Sequence, residues 1–199
     1  MAMSHTVEGL SPELRPLLDD YTTIREMFHD FKRGNAVMPH IIRHVCCRLA
    51  LEESVLYPIE KRIDQTRGDH IQNELMKKHF PIYRLCQNML DMNSEDDPEY
   101  VQLGNELETS VERHFEATER TLLPELDRLL NDEQKRQLVR AYYDAKKIAP
   151  HSPVALVRHL WLVGPDAREY EKLRDSLQHH YMTAASDQQR NVNQESSTS

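Results

Sequence analysis

The sequence is poor in glycine and contains few cysteines, and both scarcities restrict the kinds of protein it can be. It has 5 glycines among 199 residues, and no stretch alternates apolar and polar residues over the length of a strand. Its three cysteines are an odd number without a disulfide pattern, which is typical of reduced thiols in a cytoplasmic protein. We therefore predict an all-α cytoplasmic protein without disulfides.

Long apolar runs and an excess of basic residues are also missing. No segment reaches the roughly 18 apolar residues of a membrane-spanning helix. The N-terminal residues MAMSHTVEGLSPEL lack the basic start and apolar block of a secretory signal. The net charge is −8, which disfavours nucleic acid and anionic membranes as partners. Phosphate loops, nucleophile elbows and Cys-x-x-Cys motifs are absent as well, so the sequence assigns no catalytic residue.

Apolar residues recur at helical spacing through most of the chain. They predict helices over about residues 11–33, 37–63, 69–91, 99–130 and 132–147. Four long amphipathic helices with short connections are typical of an antiparallel four-helix bundle, to which an additional C-terminal helix is attached. We expect the bundle domain to cover 11–150, and a C-terminal extension to cover 151–182 and pack on the bundle or on a partner chain. A polar, disordered tail should cover 183–199.

One helical segment occurs twice. The stretches RLALEESVLYP at 48–58 and HFEATERTLLP at 114–124 lie 114 − 48 = 66 residues apart. Each contains a glutamate, a leucine and a proline at matching positions. The first copy begins with Arg48, whereas the second begins with His114.

The spacing inside the two copies is relevant to metal binding. A histidine and a glutamate four residues apart lie on the same face of a helix. Two such pairs facing a bundle core, together with single histidines from the other two helices, can hold two iron ions. The first copy supplies Arg48 and Glu52 at this spacing, and the second supplies His114 and Thr118, with Glu119 one residue further on.

The order of four segments resembles the hemerythrin-like, or HHE cation-binding, family. The segments are DDYTTIREMF, LALEESVLYPIEK, KKHFPIYRLCQNML and ERHFEATERTLLPELDRLL, and the resemblance is to the single-domain form found in fungi. It covers roughly residues 14–153. The resemblance implies a helical bundle that binds iron, with a role connected with oxygen or redox chemistry.

Three residues match ligand positions of that family, namely Glu52, His79 and His114. A fourth residue, Glu119, matches the spacing of the acidic ligand in oxygen-carrying hemerythrins. Elsewhere the chain departs from the family pattern. Tyr21, Arg48 and Thr118 occupy positions where the family has a histidine, a histidine and a glutamate.

The departures leave two interpretations open, and neither contains a complete di-iron cage. In the first, Glu52, His79 and His114 form a two-histidine, one-carboxylate set for a single iron or similar ion, with Tyr21 as a fourth oxygen ligand or a hydrogen-bonding neighbour. In the second, a buried ion pair between Arg48 and Glu52 replaces the metal, and the protein is a scaffold or interaction protein without metal.

Overall fold

The structure is a computed structural model that describes residues 9–59, 65–92 and 97–151. Every regular element in these ranges is helical, which confirms the predicted all-α class for this part of the chain. A 3-10 turn at Arg15–Leu18 comes first, and the helices are α1 (Asp19–Lys32), α2 (Met38–Leu51), α3 (Gln65–Asp91), α4 (Pro98–Arg120), α5 (Leu122–Leu129) and α6 (Asp132–Lys146). The predictions for residues 152–182 and 183–199 lie outside the described residues.

Two helix ends follow directly from local sequence. After α1, Gly34 adopts a φ of 74°, and the Asn35 N–H donates to the Asp30 carbonyl at 2.9 Å. This is the Schellman arrangement, in which glycine takes the left-handed conformation without a Cβ clash. Helix α6 begins with a capping box, since the side chains of Asn131 and Gln134 each accept from the other residue's backbone N–H. The predicted end near Gly34 and the predicted cap at Asn131 are both confirmed.

Pro58 and Pro124 follow disturbances in helices that the sequence predicted to be continuous, whereas α3 continues through Pro81. The predicted helix over 99–130 is wrong as one element, because it breaks at Thr121 into α4 and α5, three residues before Pro124. At the matching position of the first copy, α2 widens into a π-helical turn at Glu52–Leu56, just before Pro58. Proline cannot donate the backbone hydrogen bond that a continuous α-helix requires. The repeated frame therefore disturbs its helix in both copies.

The first four helices contact one another in a closed ring. Within the described residues, α1 contacts α2, α2 contacts α3, α3 contacts α4, and α4 contacts α1, while α6 packs against α2 and the 3-10 turn. Helix α4 comes very close to its neighbours at Gly104, where an added Cβ would lie 3.0 Å from the Phe31 ring and 3.1 Å from Met38. The predicted core residues are all buried, namely Phe28, Leu56, Ile82 and Leu122.

The cysteines and the helices can be compared with the predictions made from the sequence. Cys46, Cys47 and Cys86 are buried and free, as predicted. Among the helices that the structure describes, none combines the length and the apolar character that crossing a bilayer requires.

The buried position of Leu122 predicts a large loss of stability on truncation. Its side chain is 0% exposed, so Leu122→Ala should lower the free energy of unfolding by about 2–5 kcal/mol through lost burial and a residual cavity. Leu90→Ala is the matched control, because Leu90 is 42% exposed and should change stability by about 0.5 kcal/mol or less. Denaturant unfolding of both variants measures the difference, and equal losses would contradict the packing described here.

Candidate metal centre

The π-helical turn that follows α2 places the side chains of Glu52 and Tyr57 on one face. The Tyr57 N–H donates to the carbonyl of Glu52, five residues earlier, which is the hydrogen bond that defines a π turn. Residues five apart are therefore stacked here, instead of residues four apart. The Tyr57 hydroxyl donates to Oε2 of Glu52 at 2.9 Å. Ordinary α-helical spacing does not predict Tyr57 as a site residue, because it puts Leu56 on this face.

Helices α3 and α4 each add a histidine to the same point. His79 Nε2 lies 3.4 Å and His114 Nε2 lies 2.6 Å from Oε2 of Glu52, and the two ring nitrogens are 3.2 Å apart. All three side chains are fully buried. Ligand atoms held about 2.1 Å from one ion lie about 3.0–3.4 Å apart in octahedral or tetrahedral geometry. The three residues therefore form a group that can hold a metal ion after a small outward shift of His114.

A carboxylate behind His79 fixes the orientation of its ring. Glu53 Oε1 lies 2.7 Å from His79 Nδ1 and accepts a second hydrogen bond from the Tyr83 hydroxyl at 2.6 Å. We assign the Nδ1 proton to the bond with Glu53, which turns Nε2 towards Glu52. Carboxylates hold metal-binding histidines in this way, and they set the ring tautomer. Glu53 was visible in the repeated frame, but only the folded chain shows which atom it contacts.

His114 lacks such a support. Its Nδ1 is buried and has no hydrogen-bond partner among the described residues. A buried polar atom without a partner is uncommon in folded proteins. Because nothing in this part of the chain contacts Nδ1, the Nε2 proton that His114 donates to Glu52 can move to Nδ1, which leaves the Nε2 lone pair for a cation.

Arg48 occupies the other side of the Glu52 carboxylate. Its Nε donates to Oε1 at 3.0 Å, and the Tyr21 hydroxyl donates to the same oxygen at 2.8 Å. The two terminal nitrogens of Arg48 donate to the hydroxyls of Tyr21 and Tyr142. The guanidinium carbon also lies 4.0 Å from the centre of the Tyr21 ring, a cation–π distance. The buried Arg48–Glu52 pair of the second interpretation is therefore present, together with the histidines of the first.

The network around Arg48 extends to the surface through α6. Tyr142 donates its hydroxyl proton to Asp20, and Lys146 donates to the other oxygen of Asp20. Asp20 is buried, whereas the Lys146 side chain is 34% exposed. Helix α6 thus supplies two polar side chains to the region of Glu52. Tyr142 was not predicted as a site residue, since its spacing on α6 is that of an ordinary core residue.

The charges of the site determine its protonation. Burial alone raises the pKa of the Glu52 carboxyl, but His114 and Arg48 outweigh this effect and hold the pKa well below its usual range. Burial lowers the pKa of His79, yet its hydrogen bonds to Glu52 and Glu53 raise it above the usual value. Burial, helped by repulsion from His79, lowers the pKa of His114 despite the attraction of Glu52. Without a metal ion, His79 therefore takes up a proton before His114 does.

The other two predicted ligands lie apart from the three converging atoms. Tyr21 contacts Glu52 only at Oε1, on the side of Arg48. Glu119 forms an ion pair with Arg25, with nitrogen–oxygen distances of 2.8 and 3.2 Å, and Arg25 also binds Glu112. Of the five residues predicted from the sequence, the structure thus brings together Glu52, His79 and His114.

Comparisons of the chain with known proteins identify no relative. No family model, curated protein or solved structure matches the chain.

The shared carboxylate predicts a strong effect of Glu52→Gln. The amide would leave the buried guanidinium of Arg48 without its anionic partner, and breaking such a pair costs about 3–5 kcal/mol of unfolding free energy. Glu106→Gln is the matched control, because Glu106 is exposed on α4 and the same change should cost about 0.5 kcal/mol or less. Denaturant unfolding at neutral pH without added metal tests both variants. A loss under about 1 kcal/mol in Glu52→Gln would contradict the charge arrangement.

Acid should also destabilise the metal-free protein through Glu52. Because its pKa in the folded protein lies below the ordinary value of 4.5, ionised Glu52 adds stability above that value, and the contribution is lost as pH falls. Between about pH 5 and pH 3, the unfolding free energy of the unaltered protein should fall more steeply than that of Glu52→Gln. Parallel pH dependence in the two proteins would show that Glu52 is not the responsible group.

Proposed function

We propose that the protein is a hemerythrin-like cation-binding protein that holds one iron ion between four antiparallel helices. The observation that carries the proposal is the convergence of Glu52 Oε2, His79 Nε2 and His114 Nε2 at a fully buried point, with mutual distances of 2.6–3.4 Å. Two histidines and one carboxylate form the ligand set of mononuclear iron proteins that react with oxygen. The closed ring of contacts among α1 to α4 supports the bundle.

Arg48 is the reason for proposing one ion rather than two. A second ion would need ligands on the side of Oε1, where the guanidinium already binds this oxygen and the Tyr21 hydroxyl. Two cations cannot occupy the same buried volume. Arg48 therefore supplies the fixed positive charge on one side of Glu52, and the exchangeable cation binds on the other side.

The residues around Glu52 and His79 then have defined roles in holding the ion. Glu52 offers one oxygen while Arg48 and Tyr21 hold the other, so its carboxylate cannot rotate freely. Glu53 keeps the Nδ1 proton of His79 and directs Nε2 inward. Iron bound with open coordination positions supplies redox and oxygen chemistry.

A metal-free scaffold is the second candidate function, and one observation favours it. Glu52 already accepts hydrogen bonds from Tyr21, Arg48, Tyr57 and His114, so its charge is balanced without any metal. Buried ion pairs of this kind are stable when all their hydrogen bonds are made. A protein that retained only the helical fold would keep this network and present its surfaces to a partner chain.

Metal content distinguishes the two functions. After anaerobic loading with Fe(II) and removal of free metal, elemental analysis should give about one iron per chain, and His114→Ala should retain almost none. Bound iron should also raise the melting temperature, because ligand at 100 times its dissociation constant stabilises a protein by about 2.7 kcal/mol. This increase should be lost in His114→Ala.

The control variant is His70→Ala, since His70 is an exposed histidine on α3 and its removal should leave iron content and melting temperature unchanged. Absence of iron from the unaltered protein, with a melting temperature that Fe(II) does not change, would favour the scaffold. Two irons per chain would contradict the role proposed for Arg48.

A further inference from the structure

The Tyr57 hydroxyl lies at the same corner as the three converging ligand atoms. It is 2.9 Å from Glu52 Oε2 and 3.0 Å from His79 Nε2. The side chain is 0% exposed, and its ring lies 5.8 Å from the His79 ring. Tyr57 follows Glu52 by five residues, so only the π turn brings its oxygen to this point.

The separations among the four atoms suit a single ion. Five pairwise distances join Glu52 Oε2, His79 Nε2, His114 Nε2 and Tyr57 Oη, and they range from 2.6 to 3.4 Å. Four ligands bound at about 2.1 Å would lie about 3.0–3.4 Å apart. Tyr57 fits this corner as closely as the histidines do.

A bound cation changes the surroundings of the Tyr57 oxygen. In the metal-free protein the phenol donates to Glu52 Oε2 and its oxygen contacts His79 Nε2. A cation bound to His79 Nε2 takes the lone pair of that nitrogen and leaves no proton there to face the phenol oxygen. The phenol oxygen is about 3 Å from both of these ligand atoms, so its own lone pair lies where the cation can accept it.

We propose that Tyr57 is a fourth ligand, binding through its phenolate oxygen, and that the site consequently selects ferric iron. The inference rests on the proposed function, since it concerns the same ion. Binding releases the phenol proton and the Nε2 proton of His79 to solvent, and the Nε2 proton of His114 moves to Nδ1. No electron transfer is required when the iron is supplied as Fe(III). Anionic oxygen ligands suit hard cations, and tyrosine is a known ligand of iron in proteins.

Ferric phenolate complexes absorb visible light through charge transfer, and this gives a direct readout. The protein is loaded with ferric nitrilotriacetate, freed of excess iron, and examined by elemental analysis, visible absorption and resonance Raman spectroscopy. We expect about one iron per chain, a visible band, and phenolate vibrations on excitation into that band. Tyr57→Phe keeps the ring and removes only the oxygen, and it should lose the band completely.

Two matched variants show which phenol is responsible. Tyr21→Phe and Tyr83→Phe remove hydroxyls that contact Glu52 Oε1 and Glu53. Both weaken the support of a ligand, so we expect less bound iron, but the absorbance per bound iron should be retained. If Tyr57→Phe does not fold, as judged by helical circular dichroism, or takes up no iron, a band per bound iron that survives in both of these variants still supports Tyr57. A band per bound iron that is lost from either of them contradicts the proposal.

The remaining outcomes separate this inference from the proposed function. Stoichiometric iron without a visible band in the unaltered protein would overturn the role of Tyr57 and leave the iron site standing. A band that persists in iron-loaded Tyr57→Phe would do the same. Failure of the unaltered protein to bind either Fe(II) or Fe(III) would overturn both proposals together.

Discussion

The buried carboxylate of Glu52 is the constraint on which the rest of the structure depends. A carboxylate removed from water is very unfavourable unless charges and hydrogen bonds replace the lost solvent. Here Oε1 accepts from Tyr21 and Arg48, and Oε2 accepts from Tyr57 and His114. These partners come from α1, α2 and α4 and from the end of the π turn, so one anion restricts the rotation and register of several helices at once.

The two oxygens of this carboxylate have different partners, and the difference separates a permanent cation from an exchangeable one. On the Oε1 side, the positive charge belongs to Arg48, a side chain that cannot leave the site and that donates hydrogen bonds to Tyr21 and Tyr142. On the other side, the positive charge is a proton, which His79 takes up more readily than His114. A proton on histidine and a metal ion compete for the same lone pair. The group that could hold a metal ion therefore lies on the Oε2 side of Glu52, whereas Arg48 lies on the Oε1 side.

The repeated frame has different consequences in its two copies. In the first copy, the turn before Pro58 widens into a π turn and brings Tyr57 over Glu52. In the second copy, the helix breaks at Thr121, and the acidic residue of the frame, Glu119, pairs with Arg25 away from the histidines. The same local disturbance by proline thus adds a polar group to the site in one copy and ends a helix in the other.

The sequence by itself determined the helical class, the principal helices, the caps at Gly34 and Asn131, and three of the converging residues. These features depend on local spacing and on turn chemistry, which a sequence displays directly. The tertiary structure alone decided that Glu119 faces Arg25 and that Tyr57 reaches Glu52. It also decided that α6 supports Arg48. The reason is physical, since which atoms meet in a buried network depends on the relative rotation of helices, and a single turn of different pitch changes that rotation for every residue that follows.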